Sequence, residues 1–263
     1  MSTAHSADTK VDNMQFNDHF SGHPEIYKRF RPVYPAALFQ WLHDLAPDTQ
    51  TVWDAGTGNG QAALALAERF PYVIATDPSA QQVALASPHP RVRYAVSPAE
   101  ASGLDARSVD LCFSAQALHW FDFEAYWAEV RRVASPRGVV VAMTYNHPSV
   151  TPAIDAVVAR YIAFILEDWP PQRRHVNAGY ATIPFPFDAV GVPDFAMTRH
   201  DTFEAFYGYC GSWSAAQRAQ RRLGHDPRLA FRDALLEAWG VDGATHMVHW
   251  PLRALAGRVA PPT

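Results

Sequence analysis

The chain has 263 residues, of which 48% are hydrophobic and 18% are charged, and its formal net charge is −4. This length is enough to bury a substantial core, in one large domain or in a domain with a cap. Because the chain has no polybasic block, there is little support for nucleic acid or an anionic membrane as a partner. Its two cysteines, Cys112 and Cys210, exclude a disulfide scaffold and suit a reducing cytosol, with Cys112 as a buried free thiol.

The first segment, residues 1–13, is polar and has no apolar core like that of a signal peptide. We therefore predict that this segment is disordered. No apolar run in the chain reaches transmembrane length, so we expect a cytoplasmic protein.

Apolar runs and helix-forming segments then alternate up to residue 145. Five of the apolar runs are predicted strands, at residues 51–54, 72–76, 91–95, 109–113 and 138–145. Helices are predicted between them, at residues 61–69, 80–86 and 123–133, with Ser79 as the N-cap of the second. Such regular alternation predicts a doubly wound α/β fold with a Rossmann-like, mostly parallel sheet.

Beyond residue 145, proline-broken aromatic loops interrupt the pattern. We predict a helix at 151–167, two or three helices within 202–239, and strands at 195–200 and 247–253. Pro251 confines the last strand to an edge or a bulge. The late strands are expected to complete a seven-stranded sheet with a late antiparallel strand, beneath a helical lid. Arginine pairs such as Arg173–Arg174 are interpreted as solvated helix faces or loops.

The expected organisation follows from these elements. After the disordered segment, residues 14–145 form a cofactor-binding core with an N-terminal cap helix. Residues 146–263 supply the lid helices and the two final strands of the same sheet. We see no internal repeat in the sequence.

A glycine-rich turn follows the first predicted strand. Asp54 ends that strand, and glycines stand at three alternate positions after it, Gly56, Gly58 and Gly60. A dinucleotide-binding fingerprint would have a glycine where this chain has Gln61. The pyrophosphate of a bound dinucleotide would also disfavour a nearby carboxylate such as that of Asp54. A ligand with an ammonium and a sulfonium has the opposite preference, so Asp54 favours S-adenosylmethionine over NAD. The alternative is that the turn is only a structural corner.

Acids follow the next two predicted strands. Asp77 ends the second strand, where an acidic side chain meets the ribose hydroxyls in doubly wound nucleotide-binding folds. Its structural alternative is a helix cap ahead of Ser79. Glu100 follows the third strand and could orient the turn, accept a hydrogen bond from the adenine amine, or begin a helix.

A cluster of ring-bearing residues follows the fourth predicted strand, whose carboxyl end should line the ligand crevice. It comprises His119, Trp120 and Phe121. We interpret Phe121 as a core residue. For His119, a role facing the substrate and a structural role both stay open.

These motifs resemble those of class I S-adenosylmethionine-dependent methyltransferases, in particular the small-molecule branch that includes trans-aconitate methyltransferase-like proteins. The resemblance covers nearly the whole chain. It is carried by residues 54–60, 76–77, 99–100 and 116–121, with support from residues 27–35 and 211–214. The chain departs from the pattern at residues 135–138, where relatives usually have a more glycine-rich turn.

The resemblance implies S-adenosyl-L-methionine as the cofactor and assigns it a set of residues. The methionine portion would be held by Asp54, Gly56, Thr57, Gly58, Asn59 and Gly60. Asp77, with Pro78 beside it, would bind the ribose, Ala99 and Glu100 would border the adenine, and Ala115 and Gln116 would border the amino-acid end. The N-terminal segment would fold over the cofactor and place Tyr27 and Arg31 near its methionine end or the substrate.

Methyl transfer needs positioning and dehydration more than covalent catalysis by the protein. Aromatic faces near a cationic sulfur add binding energy, and the candidates are Tyr27, Trp120, Tyr145 and Trp213. Because most Trp and Tyr residues in proteins are core residues, we expect about half of them to line the site.

The acceptor decides which catalytic group is needed. A carboxylate needs only an anchor such as Arg31, whereas a phenol or hydroxyl would benefit from His119 as general base. We hypothesise O-methylation of the carboxylate or hydroxyl of a small metabolite by a monomer or homodimer. N- or S-methylation, and a protein that binds the cofactor without transferring methyl, as a regulatory or cyclisation scaffold, stay open. No metal is expected, because the pairs His19/His23 and His246/His249 have no further matched ligands.

Overall fold

The computed structural model of the protein describes residues 30–46, 48, 50–241 and 243–259. Three expectations lie outside these residues: the disordered segment 1–13, the site residue Tyr27, and the histidine pair His19 and His23. Among the described residues, no helix has both the length and the apolar character needed to cross a membrane. The cytoplasmic location, the oligomeric state and the division at residue 145 stay predictions.

A parallel sheet forms the centre of the fold. Its strands are β1 (Thr51–Ala55), β2 (Tyr72–Asp77), β3 (Val92–Val96), β4 (Val109–Ala115) and β5 (Ala134–Tyr145), in the spatial order β3-β2-β1-β4-β5. The order reverses between β1 and β4. Ligands of doubly wound folds bind in the crevice outside the carboxyl ends of the strands at such a reversal, so this topology predicts where the site lies.

The predicted helices of the first half are present. They are α1 (Ala36–Leu45), α2 (Gln61–Ala67), α3 (Ala80–Ala84) and α4 (Phe123–Val133). The Ser79 side chain accepts a hydrogen bond from Gln82 N, which confirms Ser79 as the N-cap of α3. Helix α4 buries Tyr126, Trp127 and Val130 against the sheet, as its amphipathic pattern predicts.

The sheet continues from β5 into antiparallel strands. They are β6 (Asp188–Ala189), β7 (Ala196–Thr202) and the long β8 (Thr245–Arg258). Residues 252–258 of β8 pair with β5, whereas its residues 245–251 pair with β7, and β6 pairs with its last two residues. The sheet therefore has eight strands where seven were predicted, because the interval 190–195, which contains Pro193, divides the outer edge in two.

Pro251 lies within β8, at the place where its pairing changes. Leu252 is the first residue of β8, in chain order, that pairs with β5, and Pro251 comes directly before it. The amide hydrogen that proline lacks is thus not required for pairing with β5. This arrangement allows a proline in a strand that is longer than predicted.

Of the described helices after β5, two lie between β5 and β6 and three lie between β7 and β8. They are α5 (Pro152–Phe164), α6 (Arg173–Asn177), α7 (Phe203–Gly211), α8 (Ser214–Leu223) and α9 (Arg232–Trp239). The predicted helix at 151–167 ends early and continues as a 3-10 turn at Leu166–Asp168. Buried residues of α7 and α8 share one apolar cluster with β1, β5 and β8. Cys112 is buried and free, as predicted.

Candidate active site

The turn after β1 is held against β2 by its backbone. Gly56 N and Thr57 N both donate to the Thr76 carbonyl, at 2.8 and 2.9 Å. Gly58 N donates to Asp77 Oδ2 at 2.9 Å. All three glycines have positive φ, which only glycine adopts without strain. The spacing of these glycines therefore matches the backbone conformation that the turn requires.

The turn also lies close to neighbouring side chains. A Cβ on Gly56 would lie 2.5 Å from Ala117 Cβ, and a Cβ on Gly60 would overlap the Tyr94 hydroxyl. At Gly58, by contrast, the nearest atom would be 3.9 Å away. Two of the three glycines are therefore required by close packing as well as by φ.

Asp54 is buried directly beneath this turn, with 1% of its surface exposed. Its Oδ2 accepts a hydrogen bond from Thr57 Oγ1 at 2.6 Å, and its Oδ1 is buried with no hydrogen-bond partner in the described part of the chain. Burial raises the pKa of Asp54 to about 7, the Thr57 hydrogen bond opposes this rise, and the Asp77 carboxylate adds to it. A cation at Oδ1 would stabilise the ionised form.

Asp77 and Glu100 hold backbone near the crevice. Asp77 Oδ1 accepts from Ser79 N at 2.9 Å, so its carboxylate spans the glycine turn and the start of α3. Glu100 Oε1 accepts from Asp122 N at 2.8 Å and ties the loop after β3 to the start of α4. Glu100 could orient the turn, bind the adenine amine or begin a helix, and this hydrogen bond to Asp122 N supports the first of these roles. Ala99 is buried, and Pro78 and Asn59 are partly exposed.

A cavity opens at the carboxyl ends of β4 and β5. Six of the residues selected from the sequence line it: Arg31, Gln116, His119, Trp120, Tyr145 and Trp213. The other lining residues are Asn146, His147, Trp169, Pro170, Arg173, Tyr209 and Ser214. Four aromatic residues were candidates for the site, and about two of them were expected to line it. The three that the structure describes, Trp120, Tyr145 and Trp213, all line this cavity.

A residue of the cavity wall, Gln116, and the hydrogen-bond partner of His119, Tyr180, are held in a left-handed backbone conformation. Gln116 has φ +56° and Tyr180 has φ +69°, and non-glycine residues adopt such angles at a cost of about 1–3 kcal/mol. The amide of Gln116 donates to the Tyr145 carbonyl at 2.9 Å and accepts from Thr144 Oγ1 at 2.6 Å. These contacts fix the orientation of Gln116 at the cavity wall.

His119 is buried against Tyr180, whose hydroxyl lies 3.0 Å from its Nδ1. Burial, together with the nearby Arg173 and His175, lowers the pKa of His119 to about 3. An imidazole with so low a pKa attracts a proton only weakly, so the structure argues against His119 as a general base. The interpretation of Phe121 as a core residue agrees with its contact with Tyr126, at 4.8 Å between ring centroids.

Arg31 crosses the cavity from the N-terminal side. Its Nη1 donates to the Tyr145 hydroxyl and its Nη2 to the Ser212 carbonyl, both at 3.3 Å. The guanidinium thereby connects α7 with the carboxyl end of β5. Arg31 lines the cavity, and its position near a substrate stays a prediction.

Arg173 is a cavity residue that the sequence interpretation missed. Its guanidinium lies 4.5 Å from the ring centroid of Trp169, and its Nη2 donates to Asn146 Oδ1 at 2.6 Å. The interpretation of Arg173–Arg174 as a solvated pair is wrong for Arg173, whereas Arg174 is exposed. Asn146 and His147 could have been found from the sequence, because they follow directly after the carboxyl end of β5.

Known proteins resemble this chain in sequence and in fold. A family described as a methyltransferase domain matches residues 53–142. A solved structure from Anaeromyxobacter dehalogenans, named as a type II methyltransferase, is 47% identical, with a TM-score of 0.82 over 89% of this chain and 100% of that chain. The chain belongs to the class I S-adenosylmethionine-dependent methyltransferases.

Relatives of this methyltransferase occur in distant organisms. A Dictyostelium discoideum protein named as a methyltransferase is 28% identical over 89% of this chain and 91% of its own length. A Mycobacterium tuberculosis protein named as an uncharacterized methyltransferase is 37% identical over 43% of this chain and 46% of its own length. The predicted family and fold are thus confirmed, and the narrower trans-aconitate branch stays a prediction.

The cofactor of this methyltransferase is S-adenosylmethionine, and the residues of the turn fit it. Gly58 has open space where a Cβ would lie, so a ligand can approach its backbone, and the unpartnered Oδ1 of Asp54 suits a cationic group. The predicted cofactor residues lie at the carboxyl ends of β1, β2, β3 and β4, as one ligand would require. Their individual roles stay predictions. Within the described residues, no cluster of His, Cys, Asp and Glu could hold a metal ion.

Cofactor binding by this methyltransferase should depend on pH through Asp54. A ligand with a positive charge at Oδ1 favours the carboxylate, so affinity should rise with pH, by up to about tenfold per pH unit below pH 7. Calorimetry with S-adenosylmethionine at pH 5.5, 6.5 and 7.5 measures this slope. Asp54→Asn should bind weakly at each pH. A flat profile for the wild type would exclude the pairing of Asp54 with the cofactor.

Proposed function

We propose that this methyltransferase transfers the methyl group to a carboxylate oxygen of a small anionic metabolite. The supporting observation is the charge of the cavity. Arg31 and Arg173 line it, and the described residues that line it include no Asp or Glu. A positively charged and largely aromatic cavity favours an organic anion over a cation or a neutral amine.

The two guanidiniums also affect one another. Burial lowers the pKa of Arg173 to about 10, and the charge of Arg31 contributes to this lowering. Both groups stay protonated at neutral pH, so each raises the energy of the other charge. A bound carboxylate would offset this repulsion, which supports an acidic substrate.

The histidines of the cavity support a substrate that is already ionised. Burial, together with the charge of Arg173, lowers the pKa of both His119 and His147 to about 3. Neither imidazole is therefore suited to remove a proton from a hydroxyl or phenol at neutral pH. When bound, S-adenosylmethionine supplies a methyl group on a sulfonium, and a carboxylate oxygen that attacks this carbon yields a methyl ester and S-adenosylhomocysteine without releasing a proton.

The remaining residues would position the acceptor. Arg31 provides the charge near the end of β5, and the rings of Trp120, Tyr145 and Trp213 exclude water around it. The cavity is open to solvent and is lined by side chains from several segments of the chain, which suits a small molecule. We therefore propose a small-molecule partner rather than a macromolecule.

The chemistry of the product tests this function. The purified protein would be incubated with methyl-tritiated cofactor and with separate pools of small carboxylic acids, phenols and amines. We expect label in the acid pool, and we expect mild alkali to release it as methanol. An alkali-stable product, or transfer only to phenols or amines, would contradict carboxylate methylation.

A His119 variant provides the second arm of this test. His119→Gln should keep most of the turnover at saturating cofactor, because a carboxylate needs no base. Its pH profile between pH 6 and 9 should match that of the wild type. A loss of about 100-fold or more, the size expected for a general base, would favour a hydroxyl acceptor instead.

A further inference from the structure

The guanidinium of Arg173 is held at two of its three nitrogens. Nε donates to Asn177 Oδ1 at 3.1 Å, and Nη2 donates to Asn146 Oδ1 and contacts His147 Nε2 at 3.2 Å. Trp169 supports one face of the group. The remaining nitrogen, Nη1, has no hydrogen-bond partner among the residues that the structure describes. Arg173 is thus anchored on one side and offers two N–H groups on the other.

The contact with Arg173 also determines the tautomer of His147. A guanidinium has only donors, so His147 Nε2 must accept the hydrogen bond from Nη2. The ring is neutral at physiological pH, because burial and the charge of Arg173 lower its pKa to about 3. Its single proton must therefore be on Nδ1. No residue in the described part of the chain accepts a hydrogen bond from this Nδ1.

Aromatic rings hold His147 in place. Its ring centroid lies 5.3 Å from that of Trp169 and 5.0 Å from that of Trp213. An imidazole fixed in orientation and in tautomer is a preorganised donor. His119 differs, because the hydrogen-bond direction between its Nδ1 and the Tyr180 hydroxyl depends on the tautomer.

We propose that Arg173 Nη1 and His147 Nδ1 form an oxyanion-binding pair that recognises a carboxylate group of the substrate. This proposal depends on the proposed function in one respect, which is that the bound anion is the substrate. Arg173 supplies the charge, and His147 supplies a second donor without adding another cation beside Arg31. The histidine that contacts the substrate is thus His147, and it acts as a hydrogen-bond donor.

The tautomer is tested first, by nitrogen NMR of histidine-labelled protein in the absence of cofactor. We expect the neutral His147 ring to carry its proton on Nδ1 in the wild type. In Arg173→Ala this preference should be lost, because Nε2 no longer has its donor. A proton on Nε2 of His147 in the wild type would overturn the proposal.

Benzoate is the probe for binding, with benzamide as its uncharged isostere. Benzoate should shift the His147 Nδ1–H resonance saturably, and benzamide should not. His147→Phe keeps a ring and removes the donor, so it should weaken benzoate binding about tenfold. His147→Asn places an amide N–H close to the former Nδ1 and should recover most of the affinity. Arg174→Ala, the exposed neighbour, is the control and should bind as the wild type does.

Equal benzoate affinity in the wild type and His147→Phe would refute the pair. This measurement involves neither methyl transfer nor cofactor, so its failure would leave the ester assay unaffected. Conversely, benzoate binding through His147 in a protein that forms no methyl ester would refute the proposed function alone.

Discussion

Gly56→Ala should lower the affinity for S-adenosylmethionine by at least about 100-fold. The new Cβ would lie 2.5 Å from Ala117 Cβ, well inside the distance of about 3.5–4.0 Å at which carbon atoms are in contact. Relief requires movement of the turn or of the segment after β4, and both contain residues that are predicted to bind the cofactor. The left-handed φ of +72° costs alanine a further 1–2 kcal/mol or so.

Gly103→Ala is the matched control for this substitution. Gly103 has the same φ of +72°, but a Cβ there would have no atom within 4 Å. Both variants should lose about 1–2 kcal/mol of stability from backbone strain, whereas only Gly56→Ala should lose the cofactor. Calorimetric titration and thermal unfolding of both proteins measure the two effects. Equal affinities would show that the close approach at Gly56 has no role in cofactor binding.

Arg173→Ala should lower kcat/KM for the carboxylate substrate by about 100-fold or more. Removing one partner of a desolvated charge pair costs about 2–5 kcal/mol, and each 1.4 kcal/mol is a factor of ten. The loss should appear mainly in KM if Arg173 binds ground state and transition state equally. Arg173→Lys keeps the charge without the planar fork, so its kcat/KM should lie between those of the wild type and Arg173→Ala.

Arg174→Ala controls for general effects of losing an arginine from α6. Its side chain is exposed and its Nε donates to His175 Nε2 at 3.4 Å, but neither residue lines the cavity. Steady-state kinetics of the two alanine variants, with thermal midpoints as a check on folding, decide the result. A similar small effect in both would remove the main support for an anionic substrate.

Much of the fold could be predicted because local pattern and topology agree. Strand β5 includes an apolar run that is buried on both faces, from Val139 to Met143, as a central parallel strand requires. The glycine turn was predictable for a similar reason, since its conformation depends on a few neighbouring residues. Seven strands were expected instead of eight because nothing local shows that residues 188–202 pair with β8 in two separate pieces.

The chemistry of the cavity was less predictable, because it depends on contacts between distant segments. Helix α6 has only five residues, too few for a periodic pattern to show which of its two arginines faces inward. The intrinsic pKa of histidine made His119 a reasonable base, but Arg173 and His175 lie near it only in the folded chain. The electrostatic environment of a side chain is a tertiary property, so the sequence provided candidates without their ionisation states.

The buried Oδ1 of Asp54 also affects how firmly the polypeptide stays folded. An acid whose pKa rises from 3.8 to about 7 on folding holds its proton more tightly in the folded chain, so the free energy of unfolding falls as pH rises through that interval. The difference is on the order of 4 kcal/mol, a large part of the 5–15 kcal/mol or so typical of whole domains. A cationic ligand at Oδ1 recovers it. If S-adenosylmethionine places its positive charge there, the cofactor should also stabilise the fold, and the lifetime of this chain in a cell should follow the supply of the cofactor.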